Sequence, residues 1–276
     1  MGALWPNEET GLRAVLGIDA AWTEREPSGV ALIVDRGSGW RLLEAAASYA
    51  AFARDGKDAD TVVRHRGSLP DAPSLLAAAH EKLGETVDLV AIDMPLSLNP
   101  IIGRRASDNM VSSEYGARHA STHTPSVTRP GRLSDDLRIR FEAAGYPLAV
   151  SEPSGRALLE VYPHPALIEL ASADRRLPYK HSKSRKYWPD ESPATRRKKL
   201  LETWRRIVTL LDARIEGVRN ALSLPSSDAR GFEMKAFEDA LDAVVCAWVG
   251  ACVMDGRARA YGDRESAIWV PVPDRD

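Results

Sequence analysis

The stretch Leu89-Val90-Ala91-Ile92-Asp93-Met94-Pro95 decides how this chain is read. Four apolar residues run straight into a carboxylate, and a proline two positions later stops the run. A short uninterrupted apolar run is the pattern of a strand covered on both faces, as in the parallel sheets of α/β proteins. Ending it on Asp93 puts a charge at the rim of a core, which costs free energy unless a metal or another cation answers it. Ala14-Val15-Leu16-Gly17-Ile18-Asp19 has the same pattern. Two buried strands that each end on an Asp are the first sign of a metal-binding carboxylate site.

Toward the N-terminus, the turn Pro27-Ser28-Gly29 leads into a second strand, Val30–Val34. Arg36-Gly37-Ser38-Gly39 is another turn, and Trp40 to Tyr49 holds a third strand. Short strands joined by tight turns predict an antiparallel meander. Arg54 to Asp71 is polar and reads as loop. A helix over Ser74–Leu83, with Pro73 near its start and Gly84 as its stop, then returns the chain to the Asp93 strand. Such a crossover brings that strand back parallel to the first. Asp19 and Asp93 would then stand side by side at the sheet edge where α/β proteins place their sites.

Toward the C-terminus, residues 97–132 are rich in Gly, Ser, Thr, Pro and Arg and read as a long inserted functional loop with room for one short helix. Leu133–Ala144 is a predicted helix ended by Gly145. Ala157–Tyr162 is a fifth strand carrying Glu160, stopped by Pro163-His164-Pro165. A short helix over Pro165–Ala171 and a long one over Thr195–Glu216 follow; the second carries Leu200, Leu201, Trp204, Ile207, Val208 and Leu211 at helical spacing. The last helix, Lys235–Met254, is apolar nearly all round in its second half, hence buried. Ile268-Trp269-Val270 is read as a final edge strand. The whole is an α/β chain: residues 1–12 form a tail and 13–276 one domain.

The bulk composition excludes several classes. With 276 residues and 44% hydrophobic content, the chain can bury a large core, and 28% charged residues is ordinary for a soluble protein. A net charge of -2 gives no global basic field, so nucleic acid would have to bind a local patch. Cys246 and Cys252 share one apolar helical run and lack the spacing of a zinc knuckle or redox motif. Met1–Thr10 has neither a basic start nor an apolar core, so no signal peptide is expected, and the longest apolar run is too short to span a bilayer. A cytoplasmic protein that does not enter a membrane is the expectation.

The carboxylates carry the chemistry. Asp239 and Asp242 are three apart and share a helix face with the run Ala243–Met254 entering the core. Mg²⁺ and Mn²⁺ prefer oxygen ligands, and water and phosphate complete their shell, so a few carboxylates suffice. A single Asp at a strand end ordinarily serves as a turn residue or helix cap. Asp19, Asp93, Glu160 and Asp242, all on buried elements, are harder to read that way; Asp239 also suits a solvated first helical turn.

In their order, Gly17-Ile18-Asp19, Ala91-Ile92-Asp93-Met94-Pro95-Leu96, Arg105-Ala106-Ser107-Asp108, Leu159-Glu160-Val161-Tyr162-Pro163-His164-Pro165 and Asp239-Ala240-Leu241-Asp242-Ala243 resemble domain-of-unknown-function family 429, described as predicted nucleases of the RNase H-like fold. The resemblance runs over residues 14 to 256. It implies a mixed sheet, an antiparallel meander followed by parallel strands, flanked by helices. It also implies Asp19, Asp93 and Asp242 as metal ligands, with Glu160 and Asp239 as candidate further acids of the site.

Arg105 and Asp108 match that family's Arg-x-x-Asp pattern. Arg105 could grip a phosphate in a bidentate fork, or the pair could simply tie down its loop. His119 and His123 are four apart, a zinc spacing on a helix, but Gly116 and Pro125 argue for loop histidines. His164 suits an acid/base or phosphate contact, or a structural hydrogen bond. Residues 175–206 form one basic segment, with Lys183 and eleven other cations interleaved with Tyr179, Tyr187, Trp188 and Trp204. Cations with aromatics suit single-stranded nucleic acid; a solvated face is the alternative, and Trp204 on its helix's apolar stripe reads as core.

The leading expectation is a Mg²⁺- or Mn²⁺-dependent phosphodiesterase acting on nucleic acid. Asp19, Asp93 and Asp242, with Glu160, would hold the ions, and Arg105 or Lys183 would steady the phosphate. A hydrolase of a small phosphorylated metabolite and a non-catalytic binding protein remain as alternatives.

Overall fold

In this computed structural model residues 11–54, 64–69 and 71–273 are described. The first ten residues of the expected tail, and most of the polar stretch after Arg54, lie outside them. Seven strands form one sheet in the order β3-β2-β1-β4-β5-β7-β6. They are β1 (Arg13–Asp19), β2 (Gly29–Asp35), β3 (Trp40–Ala46), β4 (Leu89–Ile92), β5 (Ala157–Val161), β6 (Ala258–Gly262) and β7 (Ala267–Pro271). β1, β2 and β3 are antiparallel, while β1, β4, β5 and β7 are parallel neighbours. This is the mixed α/β sheet that the apolar runs predict.

The α-helices are α1 (Tyr49–Phe52), α2 (Ala72–Leu83), α3 (Ala106–Tyr115), α4 (Arg132–Ala143), α5 (Pro163–Leu170), α6 (Ser184–Tyr187), α7 (Pro193–Asp212), α8 (Val218–Ala221) and α9 (Gly231–Met254). Their ends follow local chemistry. The Asp71 carboxylate accepts from the Ser74 amide to cap α2, and Gly84 closes it with φ at 81°. The Ser192 hydroxyl accepts from the Thr195 amide at the head of α7, where Pro193 fills the first turn without losing a bonded N–H. No helix among the described residues is long and apolar enough to cross a membrane.

The sheet is buried on both faces. Alternate residues Val15, Ala31, Leu89, Ala91 and Leu159 face α9, α5 and α7; Leu16, Leu32, Val90, Ile92 and Leu158 face α2 and α4. α9 lies directly on β1, β2 and β4. Small residues make this close approach possible. A Cβ on Gly17 would sit 2.3 Å from the Ala243 carbonyl oxygen, and one on Gly250 would sit 2.5 Å from Val15.

Several elements differ from the sequence reading. Ile268–Val270 belongs to an interior strand, not an edge, because β6 covers it. The β6 sequence Ala-Arg-Ala-Tyr-Gly has too little apolar alternation to announce a strand; it is held by pairing. The inserted segment contains the one short helix expected of it, α3, whose first turn is capped by the Asp108 carboxylate accepting from the Arg105 amide at 3.0 Å. α9 begins at Gly231 rather than Lys235, since the Glu233 carboxylate caps a polar first turn by accepting from the Arg230 amide at 2.8 Å.

Candidate functional site

Strand periodicity fixes where the first two acids point. In the parallel β1–β4 pair, Gly17 stands beside Ala91 and Ile18 beside Ile92, and the Asp93 amide continues the ladder by donating to the Ile18 carbonyl at 2.9 Å. Asp19 and Asp93 are thus next neighbours at the strand ends, roughly 4.8 Å apart across the sheet. Both share the face of Gly17 and Ala91, the face that α9 covers. Each keeps partial access to solvent.

α9 supplies two more acids from above. Gly29 is the register partner of Asp19, and a Cβ on it would meet the Asp239 carbonyl oxygen at 2.0 Å. Asp239 therefore sits over the end of β1, and Asp242 lies one turn on; both are fully buried. Lys235 pairs with Asp239 from the preceding helical turn, and Lys180 pairs with Asp242 from the segment before α6. Lys180 is also 3.6 Å from Glu238. These pairs leave Oδ2 of Asp239 and Oδ1 of Asp242 buried without a hydrogen-bond partner. The Tyr179 hydroxyl lies in the field of Asp242 but closes no bond of good geometry with it.

The acids are short of positive charge in spite of the lysines. Burial, then the Asp242 carboxylate, pushes Asp19 up to about 6. Burial and then Asp19 hold Asp93 well above the usual carboxylate range and push Asp239 up to about 8. Lys180 and Lys235 stay charged: burial opposes the charge, but Asp242 on one and Asp239 on the other outweigh it. A site that strains to keep its carboxylates ionised takes up a proton or a cation readily. Its donors are all oxygen and two of those oxygens have no partner, the ligand type that hard divalent cations prefer. Among the described residues no three such side chains already close into a metal cage; Asp242 would have to exchange Lys180 to join one.

Glu160 belongs to a different assembly. It pairs in register with Ile92 and shares the face of Leu158, opposite to Asp19 and Asp93. There it accepts from the Leu96 amide at 2.7 Å and from Arg105 at 2.5 and 2.7 Å. Arg105 also donates twice to Asp108, each at 3.0 Å, and once to the Leu96 carbonyl at 2.6 Å. All five of its N–H donors are engaged within the protein, and its side chain is 7% exposed. Burial pushes Glu160 up to about 7 against the pull of Arg105. The geometry makes Arg105 a clamp that ties strand β5 to the 96–108 segment rather than a free phosphate fork.

His164 lies in the first turn of α5, edge-on between the rings of Tyr162 (5.2 Å) and Tyr179 (5.4 Å), with Nδ1 unpartnered. Burial, then Arg176 and Lys180, push it well below its usual value, so it is neutral. His119 and His123 fall after the end of α3 in a turn and a loop, not on a helix, and His123 stacks edge-on against Trp22. Lys183 is exposed. Of the aromatic residues in the basic segment, Tyr179 and Trp204 are fully buried, the Trp204 indole donating to the Tyr179 carbonyl at 2.7 Å, so neither is a stacking platform. The Cys246 thiol is pushed up by burial and by Asp93 and is inert.

Sequence reasoning missed the two lysines inside the site. Lys235 carried a signal, its i,i+4 spacing to Asp239 on one helix. Lys180 carried none that set it apart from the other cations of its segment.

A family model described as "Protein of unknown function (DUF429)" matches residues 17–266. No curated protein matches the chain, and no solved structure does.

Proposed function

This chain belongs to the DUF429 family, and from its carboxylate centre we propose a divalent-metal-dependent phosphodiesterase of RNase H-like architecture acting on nucleic acid. The observation that carries this reading is the pairing of Asp19 with Asp93 on the α9 face, beneath the unpartnered Asp242 oxygen. Asp19, Asp93 and Asp242 would hold Mg²⁺ or Mn²⁺, with Asp239 beside them. When bound, the cation polarises a phosphoryl oxygen and makes water more acidic.

The chain's own residues have separable tasks in this reading. The α9 face, the end of β1 and the residue just past β4 hold the carboxylates in place, which suits a preorganised centre. Lys180, once released from Asp242, is placed to neutralise a phosphate oxygen. His164 is a neutral imidazole beside the centre with an unpartnered ring nitrogen available for a hydrogen bond to substrate. Arg105, through Glu160 and Asp108, positions the segment that follows Asp93. Lys183 on the exposed rim supplies a phosphate contact.

A second reading, hydrolysis of a small phosphorylated metabolite, is favoured by one observation: burial of Tyr179 and Trp204 removes half of the expected base-stacking surface. One assay separates the two. Single-stranded and duplex oligonucleotides, mononucleotides and sugar phosphates are incubated with the protein and Mn²⁺. The nuclease reading predicts oligonucleotide cleavage that Asp19→Asn lowers by about a hundredfold or more, a larger loss than outer partners of a metal site produce. Turnover of the small esters alone would support the second reading. No turnover of any ester, or full activity in Asp19→Asn, would refute both.

A further inference from the structure

Beside the carboxylate centre lies a cavity of about 600 Å³ that no motif pointed to. Among the described residues its wall carries Arg25, Arg64, His65, Arg66, Phe232 and Lys235, with Glu26 as the one acid. Among the described residues none of the three guanidiniums has a carboxylate partner. The wall is held in shape from two sides. A Cβ on Gly67 would lie 2.4 Å from the Glu24 carbonyl oxygen, so the 64–69 segment is pressed onto the backbone that carries Arg25. His65 is pinned by its Nδ1 to the Ser48 hydroxyl at 3.0 Å. Phe232 comes from the first turn of α9, with the Arg230 guanidinium 4.6 Å over its ring.

Lys235 joins this cavity to the centre. It lines the wall, and its ammonium pairs with Asp239, whose backbone rests over the end of β1 beside Asp19. With Lys235 engaged by Asp239, the three arginines still outnumber Glu26. Arginines that line one hollow with no carboxylate partner among the described residues, next to an acidic centre, are an arrangement suited to phosphate.

We propose that this cavity is the phosphate subsite of the carboxylate centre, where Arg25, Arg64 and Arg66 grip a phosphate monoester or diester whose neighbouring bond lies toward Asp19. As a subsite of a catalytic centre it rests on the hydrolase reading; the binding of phosphate there does not. The shared chemistry is the phosphoryl anion, carried either by a nucleic-acid strand or by a free nucleotide.

The test uses the full chain in EDTA, so that binding is read without turnover. A fluorescent single-stranded oligonucleotide is titrated by anisotropy over a range of salt, and AMP and inorganic phosphate are tested as competitors. Arg64→Ala/Arg66→Ala should weaken binding about tenfold or more and lower the salt slope by about two, one for each lost phosphate contact. Arg259→Ala, on the edge strand β6, should leave both unchanged. Competition by AMP at concentrations where the strand binds assigns the subsite to free nucleotides; strand binding that AMP does not relieve assigns it to nucleic acid. Unchanged affinity and slope in the Arg64/Arg66 variant, or no phosphate-bearing probe bound at all, would overturn the subsite. With turnover assayed separately in Mn²⁺, Asp19→Asn separates the two readings: bound probe with lost turnover upholds both, whereas bound probe with wild-type turnover refutes the hydrolase centre and leaves the anion site standing.

Discussion

A side chain on Gly29 would collide with the backbone carbonyl of Asp239, its Cβ only 2.0 Å from that oxygen. The helix carrying two of the centre's acids therefore rests on bare backbone opposite Asp19. Gly17 meets the same helix one step along, against Ala243 and Ala247. Gly17→Ala should lower stability by about 3 kcal/mol, the upper range for overpacking a core. That corresponds to roughly 6–12 °C in Tm for a chain of this size. Gly155→Ala, with nothing within 4 Å of the added carbon, should stay within about 0.5 kcal/mol. Thermal melts of the two variants check this; a harmless Gly17→Ala would mean that α9 does not sit on β1 as described.

The pH dependence of Asp19→Asn tests the crowding of the acids. Burial and Asp242 raise Asp19 to about 6, so the folded protein holds its proton where the unfolded chain has lost it. Between the ordinary carboxylate value and about 6, the folded state binds more protons, and this group's contribution to stability falls as pH rises. Above that window Asp19 is a destabilising charge. Without metal, Asp19→Asn should be more stable than wild type at pH 8 by about 2 kcal/mol, and the difference should vanish near pH 4. Urea titrations at the two pH values measure it; a difference that grows toward acid would contradict the raised value.

Arg105 should matter for folding more than for phosphate binding. Removing it leaves Glu160 and Asp108 buried with no counter-charge, which costs about 3–5 kcal/mol. Arg105→Lys should recover little, because one ammonium cannot replace five fixed donors. In a double-mutant cycle, Glu160→Gln should take back part of the Arg105→Ala loss. If Arg105→Ala folds normally and loses only substrate affinity, the clamp role is wrong and the phosphate role returns.

Much of this was legible in the sequence, for a physical reason. Ala14–Ile18 and Leu89–Ile92 are apolar without alternation because both faces of the sheet are covered, so the strands and their terminal acids stand out. The Ser74–Leu83 crossover then fixes Asp19 beside Asp93. The face that Glu160 uses was not legible. The sequence shows that it lies on a buried strand, but only the register, Glu160 beside Ile92, tells that it looks away from α9. Nor was β6 legible, since its residues alternate weakly and its pairing with β7 decides its conformation. The cavity of Arg25, Arg64 and Arg66 depends on Gly67 meeting a distant backbone, and no local pattern encodes such a meeting.

Lys180 competes for the site that a cation would take. Lys180→Met removes the ammonium from Asp242, so an incoming ion no longer has to displace it. Mn²⁺ affinity, read by calorimetry, should rise about tenfold, while the metal-free protein loses stability because Asp242 is left unpaired. Weaker Mn²⁺ binding in this variant would show that Lys180 supports the ion instead of excluding it.

The most direct measurement is a crystal soaked in millimolar Mn²⁺ and examined by anomalous scattering. The account predicts a peak bounded by the carboxylates of Asp19, Asp93 and Asp242, with Lys180 no longer on Asp242. A map with no peak there and the Lys180–Asp242 pair intact would contradict it.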